Sequence, residues 1–232
     1  MTMKLWELAG AEDDRLFSPY CWRTRMALAH KGLQAETVPW RVTEKDAIAF
    51  SGQGLVPVLR DGDQVVSDSW AIAAYLDAAH PAKPLFEGPQ AKSLVFFLSN
   101  WCERTLHLPM MRVLVLDLFG NLHAKDKAYF RESREKRYGK TLEEFAGDAR
   151  EALVVLRAAL DPLRPALAAQ PYLAGAAPAY ADYVVFGAFQ WARVISPIRL
   201  LEPDDPVYAW RERLLDAHHG VARHAKGYPV SA

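Results

Sequence analysis

A proline placed where a strand ought to run is the strongest constraint in this sequence. Residues 55–66 read Leu-Val-Pro-Val-Leu-Arg-Asp-Gly-Asp-Gln-Val-Val, two apolar runs on either side of an Asp61-Gly62 turn. That pattern signals a β-hairpin. Pro57 has no N–H to give a ladder, so it argues against a central strand unless it serves a special purpose, such as a cis bond at the strand's start. The flanking segments agree with a sheet built around this hairpin. Residues 4–8 read as a strand, and 36–41 as a second. Between them Ser18-Pro19 opens a helix that carries Trp22, Met26 and Ala29 at helical spacing and stops near Gly32. After the hairpin, Asp68 or Ser69 caps a helix over 70–77. The order is β-α-β, then a hairpin, then α.

Residues 81–89 change texture, with Pro81, Pro84, Gly88 and Pro89, and read as a linker. Beyond them strand signals all but vanish. Segments 90–118, 125–138, 142–169, 180–195 and 207–224 look helical. The expectation is an α/β domain over 1–80 followed by an all-α domain over 90–232, comfortable for 232 residues.

Charge narrows the partners. Lys plus Arg and Asp plus Glu are equal at 28 each, so there is no basic surplus for nucleic acid. No leader-like apolar stretch opens the sequence, and its longest apolar segments are too short to cross a bilayer, which predicts no membrane partner. Two cysteines, Cys21 and Cys102, fit a reducing cytoplasm rather than a disulfide framework. The histidines show no ligand spacing, and no metal is expected.

The chemistry concentrates at Phe17-Ser18-Pro19-Tyr20-Cys21-Trp22-Arg23. A helix start gathers unpaired N–H groups and the positive end of the helix dipole, a setting that favours a thiolate. The dipole contributes about 0.3–1 kcal/mol and up to ~2 when partly buried. A hydroxyl hydrogen bond to a charged group adds about 1.5–3 kcal/mol. Together these lower a bound thiol's pKa by about two units, since one unit is ~1.4 kcal/mol. The Ser18-x-x-Cys21 spacing resembles a thioredoxin-like Cys-x-x-Cys whose first sulfur is missing, so a dithiol mechanism is excluded and a thiol must arrive with a small molecule. Two readings of Ser18 stand here, a helix cap and a thiol-binding hydroxyl. Cys21 reads as a small buried apolar residue, and Tyr20 as either a packing aromatic or a second hydroxyl.

The element order, Val56-Pro57, Asp68-Ser69 leading into Trp70-Ala71-Ile72-Ala73-Ala74-Tyr75-Leu76, and Tyr172 through Tyr183 together resemble the cytosolic glutathione transferases. Within them Ser18 and Trp22-Arg23 are similar to the serine-type zeta class. The stretch 18–32 and Leu85-Phe86-Glu87-Gly88-Pro89 resemble the bacterial β-etherases still more closely. The resemblance implies a thioredoxin-like first domain and glutathione as co-substrate. It implies a small hydrophobic or aromatic electrophile as the second substrate, detoxification as the role, and a homodimer. Ser18 would be catalytic. Val56 and Pro57 would hold the cysteinyl segment, Asp68 the ammonium and Ser69 the carboxylate of the γ-glutamyl end, while Gln53 would reach the glycyl end. The second pocket would be lined by Tyr20, Trp101, Arg104, Leu108, Met111 and Arg112, the last five on one helical stripe that equally suits core packing. Alternatives are aryl-ether cleavage, maleylacetoacetate-type isomerisation, and a glutathione-binding carrier without activity. One departure stands out. Ala179 occupies a position where the family carries a capping Ser, Thr or Asn, so Asp182 is read as structural.

Overall fold

The computed structural model describes residues 2–229. Strands β1 (Met3–Leu8), β2 (Ala35–Trp40), β3 (Val58–Asp61) and β4 (Gln64–Ser67) form one sheet in the order β2-β1-β3-β4. β1 runs parallel to β2 and antiparallel to β3, with Trp6 opposite both Val38 and Val58. Helix α1 (Pro19–Lys31) makes the crossover from β1 to β2, and α2 (Ser69–Ala79) follows β4. This is the βαβ-ββα order read from the sequence. Pro57 sits one residue ahead of β3, after a cis Val56-Pro57 peptide, so the central strand contains no proline and loses no ladder bond. The tight loop lies one residue later than expected. Asp61 pairs with Gln64, and Gly62 takes the positive φ of 58°.

The helical part comprises α3 (Gly88–Trp101), α4 (His107–Asn121), α5 (Ala124–Tyr138), α6 (Leu142–Ala146), α7 (Ala149–Ala159), α8 (Leu163–Ala169), α9 (Tyr180–Ile195) and α10 (Pro206–His224). Three expectations need correction. The helix over 90–118 is interrupted by a π turn at Cys102–Leu106. The helix over 142–169 is three helices, because Gly147 turns at φ 58° and Asp148 caps α7 by accepting from the N–H groups of Arg150 and Glu151. The helix over 207–224 bends at 217–220, where His218, His219 and Gly220 all adopt positive φ. Among the described residues no helix is long and apolar enough to cross a membrane.

The linker is pinned rather than loose. Asp77 accepts from the N–H groups of Leu85 (2.8 Å) and Phe86 (3.1 Å), and Lys31 pairs with Asp77 at 2.5 Å. Below α1 the carboxylate of Glu7, fully buried, accepts a bifurcated hydrogen bond from Arg25 Nε (2.7 and 2.9 Å) and another from the Thr37 hydroxyl (3.1 Å). Removing one partner of such a buried pair costs about 3–5 kcal/mol, because the other charge is stranded.

Helix α9 is buried almost from end to end and packs along α1. Its start is tied down by Asp182, whose carboxylate accepts from Leu173 N–H (2.7 Å), Ala174 N–H (3.2 Å), Ala179 N–H (3.1 Å) and Trp210 Nε1 (2.8 Å). Ala179 has no side-chain acceptor, so the N–H of Asp182 turns to the Ala179 carbonyl at 2.9 Å instead. One turn further on, Gly187 lets the first residue of α1 lie directly against the helix. A Cβ at 187 would stand 2.4 Å from the Pro19 carbonyl oxygen and 3.4 Å from Arg23 Cγ. Gly187→Ala is therefore expected to lose about 1–3 kcal/mol by overpacking, despite alanine's better helix propensity. Equilibrium denaturation checks this, and a variant as stable as the parent would refute the close-approach account.

Candidate functional site

Ser18 is the N-cap of α1, extended at φ −62° and ψ 126°, with Pro19 in the first turn and Gly32 closing the helix at φ 71°. Its Oγ accepts from the Cys21 N–H at 3.4 Å, a contact that leaves the hydroxyl proton available. Trp22 Nε1 donates to the Leu16 carbonyl at 2.8 Å and fixes the loop entering the helix. Ser18 is 4% exposed and still lines a cavity of about 490 Å³.

Cys21, three residues on, is buried and its thiol is pushed up to about 12, first by burial and then by Glu7. Cys102 is likewise pushed up to about 11 by burial. Neither sulfur is a thiolate at neutral pH, so neither assists as a nucleophile.

Val56 borders the same cavity, and among the described residues its backbone N–H and C=O make no hydrogen bond to protein. The adjoining Pro57 carbonyl accepts from the Asp68 N–H at 3.2 Å, which sets the proline turn beside the start of α2. Asp68 holds φ 78° and caps α2 through Oδ1 alone, accepting from Trp70 N–H (2.9 Å) and Ala71 N–H (3.0 Å). Such a backbone costs on the order of 1–3 kcal/mol and persists only where surroundings enforce it. Ser69 is buried, and its carbonyl takes the Tyr180 hydroxyl at 2.7 Å. The structure thus brings Val56, Pro57, Asp68 and Ser69 together. Gln53 is different. Its amide is engaged with Leu55 N–H (2.7 Å), Leu55 C=O (2.9 Å), Ser51 Oγ (3.0 Å) and Ser67 Oγ (3.2 Å), so it orders the loop ahead of Val56.

The expected stripe on the helical domain does not hold as one face. Tyr20, Leu108 and Met111 line the cavity, whereas Trp101, Arg104 and Arg112 do not. Trp101 packs against the core, Arg104 is exposed, and Arg112 Nε donates to the Phe145 carbonyl at 3.3 Å. For Trp101 and Arg104 the reason is the π turn at Cys102–Leu106; Arg112, beyond it, is drawn aside by its bond to Phe145. One extra residue in a turn rotates everything after it by about 100°, so positions 101 and 104 lose register with 108 and 111.

Several lining residues escaped the sequence reading. His107 opens α4, its Nε2 sealed from solvent without a partner and its ring edge-on to Tyr20 (5.6 Å) and Trp191 (6.0 Å). Burial, and then the nearby Arg23, hold this imidazole neutral down to about 3. Arg23 is itself buried, donating to Glu103 (2.9 Å), Ser99 (3.3 Å) and the Val184 carbonyl (3.3 Å) under the Tyr20 ring (4.7 Å). Helix α5 contributes Phe130, Arg134, Arg137 and Tyr138. Their offsets of four, seven and eight place them on one helical face, a signal the sequence did carry. Among the described residues no group of His, Cys, Asp and Glu is arranged to hold a metal.

A histidine whose folded pKa lies below its ordinary 6.5 gives stability that is complete above 6.5 and is lost as pH falls. His107 (about 3) and His218 (about 4) both have this sign. Unfolding free energy should therefore decline as pH is lowered from 6.5 toward 4, and His107→Phe should flatten that decline. Urea titrations across the window check it; an unchanged slope in the variant would contradict the assignment.

Residues 17–79 match the family description "Glutathione S-transferase, N-terminal domain", and residues 94–200 match "Glutathione S-transferase, C-terminal domain". Glutathione S-transferase Z1 of Arabidopsis thaliana is 38% identical over 86 residues, 33% of this chain and 39% of that protein. A zeta-class glutathione S-transferase of Euphorbia esula is 29% identical over 111 residues, covering 46% and 49%. The matched segments span about a third to a half of these relatives' length. The crystal structure of glutathione transferase GSTFuA2 from Phanerochaete chrysosporium is 26% identical with a TM-score of 0.76, covering 95% of this chain and 93% of that one. The CsGST63524 enzyme of Ceriporiopsis subvermispora, solved in complex with glutathione, is 20% identical with a TM-score of 0.81 and full coverage of both chains, a likeness of fold.

Proposed function

The chain belongs to the glutathione S-transferase family, and on that premise we propose that it binds glutathione and activates its thiol at Ser18 for attack on a small aromatic electrophile. The observation that carries this reading is a free hydroxyl at a helix N-terminus, opening on a cavity beside an unpaired segment of backbone. The tripeptide's cysteinyl segment pairs with Val56 as an added strand. Its γ-glutamyl carboxylate lies at the N-terminus of α2 by Ser69, and its ammonium meets Oδ2 of Asp68, since the capping bonds fall on Oδ1. Residues 1–80 form the glutathione-binding unit and 90–232 the second-substrate unit.

Ser18 then accepts from Cys21 N–H and donates its proton to the sulfur. The thiol proton leaves to solvent. The thiolate forms a C–S bond at the electrophilic carbon, and the bond to the leaving group breaks with its electron pair departing on that group. With dipole and hydroxyl together worth about two pKa units, Ser18→Ala should raise the bound thiol's pKa by at least one unit and lower kcat/KM at neutral pH roughly tenfold or more. Thiolate ultraviolet absorbance against pH, alongside conjugation of an aryl halide, measures both. A parent protein that binds glutathione without conjugating would make it a carrier, and an unchanged thiol pKa in the variant would remove Ser18 from the mechanism.

A homodimer accords with the apolar surface of α3, where Leu94 (70%), Phe96 (53%) and Phe97 (72%) stand exposed together. Sedimentation should give twice the 26.0 kDa chain mass, and Phe97→Glu should shift it to the monomer. A parent protein that sediments as a monomer at all concentrations would exclude this assembly. The two buried cysteines accord with a cytoplasmic location.

A further inference from the structure

We propose that the second substrate is an aromatic acid, its carboxylate held by Arg134 and Arg137 on the α5 wall of the cavity. This rests on the transferase reading above and narrows it.

The starting point is a cation without a counter-ion. Arg134 Nε is sealed from solvent and has no hydrogen-bond partner, and its Nη1 reaches only the Ser133 hydroxyl at 3.2 Å. The guanidinium lies over the Phe130 ring at 4.9 Å. Among the described residues no carboxylate comes within ion-pair distance of Arg134 or of Arg137 one turn later, although both line the cavity. Other enclosed arginines have partners: Arg23 pairs with Glu103 at 2.9 Å, Arg25 with Glu7 at 2.7 Å and Arg164 with Asp205 at 2.9 Å, while Arg193, without an acid, donates to the carbonyls of Ala222, Ala225 and Arg223. Burial also presses Arg134 below its usual basicity, with no acid to offset it.

The cavity supplies no anion of its own for this pair. Glu103 is the acid among its lining residues and is committed to Arg23. Arg134 is half-buried and Arg137 exposed at the cavity's edge; the outer nitrogens of a guanidinium form a planar fork, the geometry that binds a carboxylate through two parallel bonds. The surroundings select the rest of the ligand. Tyr138 stacks flat on Phe145 (3.8 Å, 8° between planes), and Trp191 and Tyr129 complete walls suited to a ring. Ser18 and the two arginines border one space, so a substrate with a carboxylate at one end and an electrophilic carbon at the other meets both.

The test uses the full-length protein with glutathione and two chloronitroarenes, para-chloro-meta-nitrobenzoate and the corresponding benzamide, each rate divided by its uncatalysed rate. Conjugation forms the aryl C–S bond and breaks C–Cl, with chloride leaving on its electron pair. The acid should be preferred at least tenfold in kcat/KM, a margin of about 1.4 kcal/mol. The double variant Arg134→Gln, Arg137→Gln should bring the ratio close to parity by lowering the benzoate rate far more than the benzamide rate, with glutathione KM unchanged, and Arg134→Lys should recover part of the preference. Equal handling of acid and amide by the parent would overturn the proposal while leaving the transferase reading intact. A raised glutathione KM in the variant would also overturn it, by assigning the arginines to the tripeptide's own carboxylate. If neither arene turns over, the transferase reading fails and binding decides instead. Quenching of the cavity tryptophans by the benzoate over the benzamide, lost in the double variant, supports the anion site; equal quenching refutes it.

Discussion

The contact of Pro19 with Gly187 governs where the Ser18 hydroxyl can be. α1 carries Ser18 at its first cap, and a cap is positioned only as well as the turn behind it. Here that turn rests its carbonyl on a helix lacking a side chain at the point of contact. Arg23, one turn on, donates to the Val184 carbonyl of the same helix and to Ser99 of α3. Tyr180, at the head of α9, reaches across to the Ser69 carbonyl at the start of α2. Both helix N-termini of the proposed tripeptide site are thus referred to one buried helix, whose own start depends on the four donors to Asp182. The α/β part carries the groups; the helical part sets their positions.

Much of this was legible in the sequence because it is written in residues with single backbone meanings. Pro57 forbade a ladder position and lies outside one; Gly32 stops α1; Ser18-Pro19 starts it. What was not legible has a common character. The π turn at Cys102–Leu106 uses ordinary helical dihedrals, for example φ −55° and ψ −46° at Cys102, and no proline or glycine lies within it; its one mark is Pro109 just beyond, which has no N–H for the Thr105 carbonyl. Periodicity reveals which residues share a face within an unbroken helix but not whether the helix keeps its count. Trp101 and Arg104 were displaced from the cavity by that one residue, and Arg112, beyond it, by its bond to the Phe145 carbonyl, while the α5 face, on an unbroken helix, kept its register.

Gln53 illustrates a second kind of limit. Its residue type and place before Val56 suit a ligand contact, yet the same amide is equally suited to closing the loop that presents Val56, and four bonds show which neighbours it found. A polar side chain's choice between ligand and backbone is a matter of distances that spacing does not encode. Cys21 went the other way. Its reading as a buried apolar residue follows from the usual character of a free cysteine, and burial keeps its thiol protonated. With both protein sulfurs inert, any thiolate in this cavity has to be delivered by a ligand.

Equal numbers of acidic and basic residues across the chain conceal an imbalance inside the cavity. Glu103 is answered by Arg23, His107 is held neutral by burial and by that same arginine, and Arg134 and Arg137 are left over. A positive enclosure favours a thiolate and an anionic partner alike, but the two effects differ in reach. In the proposed reaction the Ser18 hydroxyl and the α1 N–H groups would act on the sulfur at hydrogen-bond distance, where a fixed dipole is strongest. The α5 guanidiniums would act on a substituent of the other reactant and hold it by geometry. Under that proposal reactivity and choice of substrate lie on separate helices from separate halves of the chain. A change on α5 would then alter which molecule is brought to the sulfur while leaving the sulfur's own environment as α1 and α9 have set it.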